Sequence, residues 1–383
     1  MKLLLTKRQK PAKAAKAGAG GEENKLFYAS QQKLVWYKFR RHRMAMVALA
    51  VLALLYLGAI FCEFLSPYDP EEQHDQYKSL PPQMIRIVDE NGLCAPYVYG
   101  VKQELDMDSF QRTTVVDTSV KYPVHFFSSG AEYDMWGLFQ GDMHLFTSEG
   151  PIFLLGTDIH GRDMFTRILY GSRISLSIGL VGIAVTFILG LTLGGISGYF
   201  GGAVDEAIQR LTDLIICIPT IPLWMVLAAA MPHDWPPVKT YACIVLITSA
   251  IGWTGLARTV RGKMLAVREE GFVMAARLAG AGTGYIIRRH MLPTFSSYII
   301  VSLTMSIPNT ILGETSLSFL GLGLQAPAVS WGVLLQGAQN LQSISGMPWL
   351  LLPALWVVVT VVMFNFVGDG LRDAVDPYGT ETA

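Results

Sequence analysis

Six long apolar segments constrain this chain more than any other feature. The first, Met44 to Leu65, is 22 residues of almost unbroken apolarity. A helix of that length measures about 33 Å, enough to cross the hydrocarbon core of a bilayer. The five others are about Ile174 to Gly195, Leu214 to Met231, Tyr241 to Ala257, Phe295 to Gly313 and Trp349 to Val367. We therefore predict an all-α polytopic membrane protein with six transmembrane helices.

Positive charge predicts the orientation of these helices. Residues 1–43 hold twelve Lys or Arg and two acids, and residues 258–293 hold seven Lys or Arg and two acids. Positively charged segments stay in the cytoplasm, and six spans place both ends of the chain on one side. We therefore expect both termini to be cytoplasmic. The loop from Tyr199 to Asp213 is an exception, since it should also be cytoplasmic but holds three acids and one Arg.

A long polar region separates the first two apolar segments. Between Ser66 and Ser172 there are sixteen acids and seven Lys or Arg, and residues 66–154 contain no membrane-length run. We interpret 66–154 as an extracytoplasmic insertion, with short strands near Met84 to Val88 and Tyr97 to Val101. The predicted units are a basic tail with an interfacial helix (1–43), the first span (44–65), this insertion, and a core of five spans (155–383).

Two residue classes in the chain give no sign of catalytic chemistry. The four cysteines show neither a disulfide framework nor metal-ligand spacing, and three of them lie in apolar segments. His74, His125 and His144 of the insertion are scattered, which favours surface or packing roles. We predict no metal site and no catalytic residue. A basic tail directly before a membrane span indicates topology, so nucleic-acid binding is not expected.

The charged loop between the fourth and fifth segments contains a helical pattern. Phe272, Ala275, Ala276 and Ala279 recur at i, i+3, i+4 and i+7, which is one face of a helix. Gly280 follows at once and fits a helix C-terminus. The pattern alone is compatible with an ordinary amphipathic loop helix.

The same loop resembles the "EAA" loop of bacterial ABC-importer permeases. Ala275, Ala276, Gly280, Leu292 and Pro293 match the spacing of that pattern. Met274 stands where the family has Glu, and His290 stands at its hydrophobic position. In the family this loop is a coupling helix that docks into a groove on an ATPase subunit. The residues that the resemblance assigns to ATPase coupling are Glu270, Phe272, Ala275, Ala276, Arg277, Gly280 and Ala281.

A second stretch, before the second span, resembles the peptide-permease branch of that family. The matching residues are Leu155, Gly156, Thr157, Asp158, Gly161, Arg162, Asp163, Arg167, Tyr170, Gly171 and Arg173. Asp163 and Arg167 are four residues apart on a short helix, which predicts an ion pair. A phosphate loop is excluded because Arg162 and Asp163 occupy the Lys and Ser/Thr positions. We expect an interfacial elbow.

Two further stretches match the family near the cytoplasmic surface. One comprises Gly198, Tyr199, Gly201, Gly202, Asp205, Arg210, Asp213 and Pro219, and the other Asn365, Gly368, Asp369, Leu371, Arg372, Asp373, Asp376 and Pro377. Arg210 is placed to pair with Glu206 or with Asp213. Neither stretch predicts catalysis.

Glu314 is the one acid that the sequence places deep in an apolar region. It follows Pro308, which predicts a kink, and has Asn309 and Ser318 as polar neighbours. It also begins a stretch that resembles the family's ExxLSFLGLG motif. An intramembrane acid predicts a functional site, so we assign Asn309, Glu314 and Ser318 to the translocation pathway or outer gate. The alternative is a helix break in which Glu314 is hydrogen-bonded to backbone.

The resemblance implies the permease subunit of a peptide-type ABC importer with the type I permease fold. It implies a second permease subunit, two ATP-binding subunits that hold ATP and Mg, an extracytoplasmic solute-binding protein, and membrane lipid around the spans. No Walker A sequence is present, so this chain is not expected to hydrolyse ATP. Oligosaccharides, opines and nickel chelates are alternative substrates. A secondary transporter and a membrane-anchored binding protein are the alternatives from other classes.

Overall fold

The computed structural model describes residues 31–89, 92–105, 112–232 and 235–375, and most of the basic tail lies outside these ranges. The helices are α1 (Gln31–Arg41), α2 (Arg43–Ile60), α3 (Cys62–Leu65), α4 (Met164–Phe200), α5 (Gly202–Cys217), α6 (Thr220–Ala229), α7 (Pro237–Arg268), α8 (Gly271–Leu278), α9 (Ser296–Thr304), α10 (Ile307–Phe319), α11 (Trp331–Gln336), α12 (Leu341–Gly346) and α13 (Leu352–Val375). Shorter helical turns are Asp75–Tyr77, Thr283–Tyr285, Ile286–Met291, Leu292–Thr294 and Pro348–Leu351.

Four helical segments in the described ranges are long and apolar enough to cross a membrane. They are Arg43–Ile60, Met164–Phe200, Lys239–Arg268 and Pro348–Val375. Two bent pairs pass the same test, which gives six spans if each pair is one span. The predicted helical polytopic fold is therefore confirmed.

The third predicted span, Leu214 to Met231, is wrong as one continuous helix. It is divided between α5 and α6, which meet at an angle of 86°. The break falls at Ile218 and Pro219, because a residue before proline is driven into the extended conformation that Ile218 adopts. The predicted loop from Tyr199 to Asp213 is also wrong, since α4 continues to Phe200 and α5 begins at Gly202.

The fifth span is interrupted as the sequence predicts. Pro308 lies in the first turn of α10, and α9 ends at Thr304. Proline supplies no backbone N–H to the preceding turn, so the helix cannot run through this position without a break. The helical turns of Thr283–Thr294 precede α9 at an angle of 67°.

The centre of the bundle is the contact between α4 and α7. Glycines at 190, 194 and 198 lie four residues apart on α4, where the absence of side chains lets the two backbones approach. A Cβ atom built on Gly194 would lie 2.5 Å from the carbonyl oxygen of Ala257. The Ser249 hydroxyl of α7 donates to the carbonyl oxygen of Gly182 at 3.0 Å. The glycines of α4 therefore allow it to pack closely against α7.

A second apolar layer joins the first and last described helices. Small residues of α2, among them Ala45 and Ala48, are buried in one cluster with Val367 and Ala374 of α13. Phe39 of α1 is buried in the same cluster, while Trp36 is exposed. The aromatic and basic segment before the first span is therefore a helix that packs one side against the bundle.

The insertion contains a four-stranded antiparallel sheet. Its strands are β1 (Arg86–Asp89), β2 (Gly92–Leu105), β3 (Arg112–Met135) and β4 (Phe139–Ser148), in the order β1-β2-β3-β4. The first half of β3 pairs with β2, with Tyr97 opposite Pro123. Its second half pairs with β4, with Phe126 opposite Phe146. The two strand segments suggested by the sequence lie in this sheet, which is much larger than they indicated.

His144 attaches the sheet to the end of the first span. Its buried ring lies between two carbonyl oxygens, with Nδ1 at 2.5 Å from Ser66 and Nε2 at 2.8 Å from Ala131. His74 packs against the rings of Tyr68 and Phe153. These two histidines have packing roles, as expected.

The elbow before α4 differs from the predicted Asp163–Arg167 pair. Asp163 is the N-cap of α4, and its Oδ2 accepts the Thr166 N–H at 2.8 Å. Arg167 contacts Asp158 instead, and Arg162 Nη2 lies 2.8 Å from the same carboxylate. Burial alone would raise the pKa of Asp158, but the Arg162 backbone N–H and both guanidinium groups outweigh burial, so the pKa is below its usual range. The prediction was wrong because a capping side chain is already committed to the helix N-terminus.

A bidentate ion pair joins the end of the first span to α4. Arg173 Nη1 and Nη2 lie 2.7 and 2.6 Å from the two oxygens of Glu63, which is buried. The guanidinium also donates to the carbonyl oxygens of Ala59 at 3.2 Å and Ile60 at 3.3 Å. The sequence indicates Glu314 as the one deeply placed acid, whereas the structure buries Glu63 as well.

We expect Gly194→Ala to destabilise the protein and Gly195→Ala to leave it folded. The added Cβ at 194 would meet a backbone oxygen, which forces α4 and α7 apart at a cost of about 1–3 kcal/mol. Gly195 is a neighbour on the same helix where an added Cβ meets nothing within 4 Å. Thermal unfolding of the detergent-purified protein measures the difference. Equal melting temperatures for the two variants would contradict the proposed packing constraint.

Candidate functional site

The candidate coupling helix, α8, ends in a well-defined cap. The N–H of Gly280 donates to Arg277 O at 3.0 Å, and the N–H of Ala281 donates to Ala276 O at 3.1 Å. These are the two bonds of a Schellman motif, which requires a left-handed residue between them. Gly280 has that conformation, with φ of +79°. The predicted glycine C-terminus is confirmed at this position.

One side of α8 is anchored on the chain itself. Val273 is fully buried and lies in a cluster with Met264 of α7, Ile286 and Met291. Ala276 packs against the same cluster. A helix of only eight residues is marginal in isolation, so this burial holds it in position.

The opposite side of α8 carries an exposed apolar surface. Phe272, Met274 and Leu278 are exposed there, Leu278 to 89%, and we call these three residues the loop apolar face. Ala275 and Ala279 are exposed as well. Of the predicted helix face, Ala276 alone turns partly inward. Met274 and Leu278 were missed because the family pattern emphasises small residues. Their i, i+4 spacing in an extramembrane loop was the available signal.

The remaining predicted coupling residues surround α8. Glu270 is its exposed N-cap residue, and no hydrogen bond from its side chain to the helix is seen. The Arg277 guanidinium lies over the Tyr199 ring at 5.2 Å. Arg268 Nη1 donates to the Tyr199 carbonyl oxygen at 3.3 Å. The C-terminal end of α4 is thereby linked to α7 and α8.

Ion pairs between α5 and α7 account for the acidic exception to the charge rule. Arg261 Nε and Nη2 each lie 2.5 Å from a different oxygen of Asp205. Arg258 contacts Asp213. The remaining acid of this stretch, Glu206, is one of the two partners predicted for Arg210 and lies 3.8 Å from it. Two of the three acids are thus neutralised by arginines of α7, the helix that leads into the basic loop.

The second candidate site is the carboxylate of Glu314 on α10. It is fully buried, and three serine hydroxyls converge on it. Ser330 and Ser318 donate to Oε1 at 2.7 and 2.8 Å, and Ser175 of α4 donates to Oε2 at 3.3 Å. The group therefore joins α4, α10 and the start of α11.

Each of these hydroxyls also accepts a backbone N–H. The pairs are Trp331 to Ser175 at 3.1 Å, Leu324 to Ser318 at 3.1 Å, and Val333 to Ser330 at 3.2 Å. A hydroxyl that accepts an N–H directs its own proton elsewhere, here toward the carboxylate. Glu314 thus reaches backbone N–H groups through serine side chains, and it holds the chain between α10 and α11 in place.

The structure does not bring the three predicted pathway residues together. Glu314 and Ser318 are fully buried, whereas Asn309 is exposed in the first turn of α10. Asn309 and Glu314 are five positions apart, so their side chains leave the helix in directions about 140° apart. Their assignment to a pathway or gate stays a prediction.

Within the described ranges, no group of three His, Cys, Asp or Glu residues is arranged to hold a metal ion. Of the free cysteines described, Cys62 is buried, and Cys94 and Cys217 are exposed.

The sequence matches two families. Residues 190–378 match the family described as binding-protein-dependent transport system inner membrane component. Residues 30–82 match the N-terminal transmembrane domain of oligopeptide transport permease C.

Relatives match over most of their own lengths. The dipeptide transport system permease protein DppC of Bacillus subtilis is 31% identical over 344 residues, covering 89% of this chain and 84% of that protein. The oligopeptide transport system permease protein OppC of Haemophilus influenzae is 39% identical, covering 60% of this chain and 72% of that protein. Among solved structures, an inward-facing MetNI methionine ABC transporter aligns with a TM-score of 0.44 at 18% identity, covering 56% of this chain and 98% of that one.

We expect Glu314→Ala to lower the melting temperature of the purified protein and Asn309→Ala to leave it unchanged. Removing the carboxylate leaves three buried hydroxyl donors without an acceptor, and an unsatisfied buried polar group costs about 1–3 kcal/mol. Asn309 is the matched control, because it lies on the same helix but is exposed. Glu314→Gln should fall between the two. A Glu314→Ala variant as stable as Asn309→Ala would contradict the role of Glu314 in holding the chain between α10 and α11 in place.

Proposed function

This chain belongs to the family of binding-protein-dependent transport system inner membrane components, and from that premise we propose that it moves peptides into the cytoplasm as the permease subunit of an ATP-driven importer. The names of its relatives, dipeptide and oligopeptide permeases, support peptides as the substrate class. Delivery by a solute-binding protein and alternating access follow from the same premise. Oligosaccharides, opines and nickel chelates are the alternative substrates.

We propose that two ATP-binding subunits dock on the loop apolar face of this chain and of a second permease subunit. The observation that carries this proposal is α8 itself, anchored through Val273 and exposing Phe272, Met274 and Leu278. An apolar surface at the tip of a charged loop is typical of a protein–protein contact. ATP and Mg²⁺ would be held in those partner subunits, and this chain would carry no cofactor of its own.

The contacts of Tyr199 connect the proposed docking site to the membrane helices. Tyr199, at the end of α4, contacts Arg277 of α8 and Arg268 of α7. A displacement of α8 would therefore act on both helices of the central contact. We propose that this displacement switches the pathway between the two permease subunits, with Asn309 facing the pathway. Glu314 and Ser318 would hold the outer gate, the segment between α10 and α11.

The proposed orientation has both termini and α8 in the cytoplasm and the sheet outside. The basic loop and the basic tail support this orientation. The sheet contacts the first part of α4, where Phe146 packs near Phe165, whereas α8 contacts its last residues. The sheet and α8 therefore lie toward opposite ends of a 37-residue helix.

A reconstituted complex separates this function from its alternatives. Uptake of labelled peptides that depends on ATP and not on an imposed proton or sodium gradient would support an importer over a secondary transporter. Co-purification of ATP-binding subunits would support it over a membrane-anchored binding protein. Identifying the ligand that co-purifies with the solute-binding protein would distinguish peptides from the other substrate classes.

We expect Leu278→Asp to abolish retention of the ATP-binding subunits and ATP-driven uptake. A charge placed in an apolar contact should cost about 2 kcal/mol or more, or roughly thirtyfold in affinity. Leu341→Asp is the matched control, because Leu341 is 79% exposed and precedes the last span. It therefore lies at the end of that span opposite the C-terminus of α13. This variant should retain the ATP-binding subunits. Equal retention by both variants, each shown to be folded by size-exclusion chromatography, would contradict docking on α8.

A further inference from the structure

The turn between β3 and β4 presents three large apolar side chains to the outside of the protein. Trp136, Leu138 and Phe139 are all exposed, and we call them the hairpin tip. We propose that the hairpin tip is a membrane anchor that inserts into the interface of the bilayer leaflet beside the end of α2. This proposal needs the chain to span a membrane, but it does not depend on which solute is carried.

The conformation of the turn is unusual for its sequence. Trp136 and Gly137 both have positive φ, 58° and 66°. Such turns favour Gly, Asn and Asp, and a bulky residue there is strained. The Trp136 side chain makes a hydrogen bond and a cation–π contact within the protein. A strained aromatic residue at an exposed turn indicates a role for its side chain.

Those contacts hold the tip at the membrane boundary. The indole Nε1–H of Trp136 donates to the carbonyl oxygen of Ile60 at 3.1 Å, and the Arg173 guanidinium lies 4.1 Å from the ring centre. Ile60 is the last residue of α2, whose 18 residues span about 27 Å, close to the thickness of the hydrocarbon core. Trp and Arg are residues that favour this boundary. The hairpin tip therefore lies at the level of the lipid headgroups and the outer acyl chains.

The tip lies beside an exposed apolar surface of the first span. Leu54, Leu57, Ile60 and Phe61 are exposed on α2 and just beyond it. Apolar side chains on a membrane-spanning helix match the hydrocarbon core of the bilayer. Because the carbonyl oxygen of Ile60 accepts the indole N–H of Trp136, the exposed apolar side of α2 ends directly beside the hairpin tip.

The charges on the hairpin indicate how it binds. Residues 131–143 include Glu132, Asp134 and Asp142 and contain no Lys or Arg. All three acids are exposed. Attraction to anionic lipids is therefore not the source of binding, in contrast to polybasic membrane segments. Burial of apolar side chains is the remaining source, and it does not weaken with salt.

The depth of a spin label at the tip tests the proposal. In the full-length protein with Cys62, Cys94, Cys217 and Cys243 replaced, Leu138→Cys is spin-labelled in nanodiscs of zwitterionic phosphatidylcholine. Collision with oxygen, which concentrates in lipid, is compared with collision with a water-soluble nickel chelate. The control is Leu93→Cys, because Leu93 is an exposed leucine of the same sheet, 86% against 76% for Leu138, and it pairs with β1 away from the tip.

We expect oxygen collisions to dominate at 138 and nickel collisions to dominate at 93, with no change at 138 between low and high salt. Nickel-dominated collisions at 138 would place the tip in water and overturn the proposal. Low collision frequencies with both reagents would indicate that the tip is buried against protein, and this result would also overturn the proposal. A label depth at 138 that decreases at high salt would indicate binding by attraction to the headgroups, and it would overturn insertion of the apolar side chains. In a Leu138→Asp background, a label at Phe139→Cys should lose its oxygen accessibility.

Discussion

The close approach of α4 and α7 is the contact on which the rest of the membrane core depends. Lipid supplies no hydrophobic force between helices, so their association relies on close packing and polar contacts. Three glycines on α4 bring its backbone against that of α7. Other elements then pack on this pair. α10 contacts α4 through Ile307 and Ile311, which lie against Gly179. α8 continues from the end of α7 and contacts the end of α4.

Polar groups that are buried or half-buried fix the junctions around that core. Glu63 with Arg173 and Asp205 with Arg261 join segments that are distant in sequence, and Asp158 with Arg162 and Arg167 holds the turn before α4. Loss of one partner from a buried pair leaves a charge without compensation, so such pairs tolerate few alternative arrangements. Glu314 likewise joins α4, α10 and the start of α11, with serine hydroxyl groups in place of a cation. These contacts define geometry at the points where the chain leaves the membrane helices.

The sequence predicted the features that depend on composition and short spacing. The apolar segments, the interruption at Pro308 and the cap at Gly280 all followed from local rules. Contacts between distant residues did not. Arg167 was assigned to Asp163, four residues away, because the nearer approach of Asp158 depends on a turn that spacing does not reveal. The break at Pro219 was missed because apolarity continued across it. For α8, a family pattern identified the loop, whereas the exposed Met274 and Leu278 required knowledge of where Val273 is buried.

The length of α4 has a mechanical consequence. Its 37 residues form one unbroken helix of about 55 Å, nearly twice the thickness of the hydrocarbon core. One end carries the Arg173 and Asp158 contacts, and the other carries Tyr199. If α4 tilts by one degree about the contacts at one end, its other end moves by about 1 Å. Small rotations at one membrane surface are thereby converted into atomic-scale displacements at the other, without any change in the helix itself.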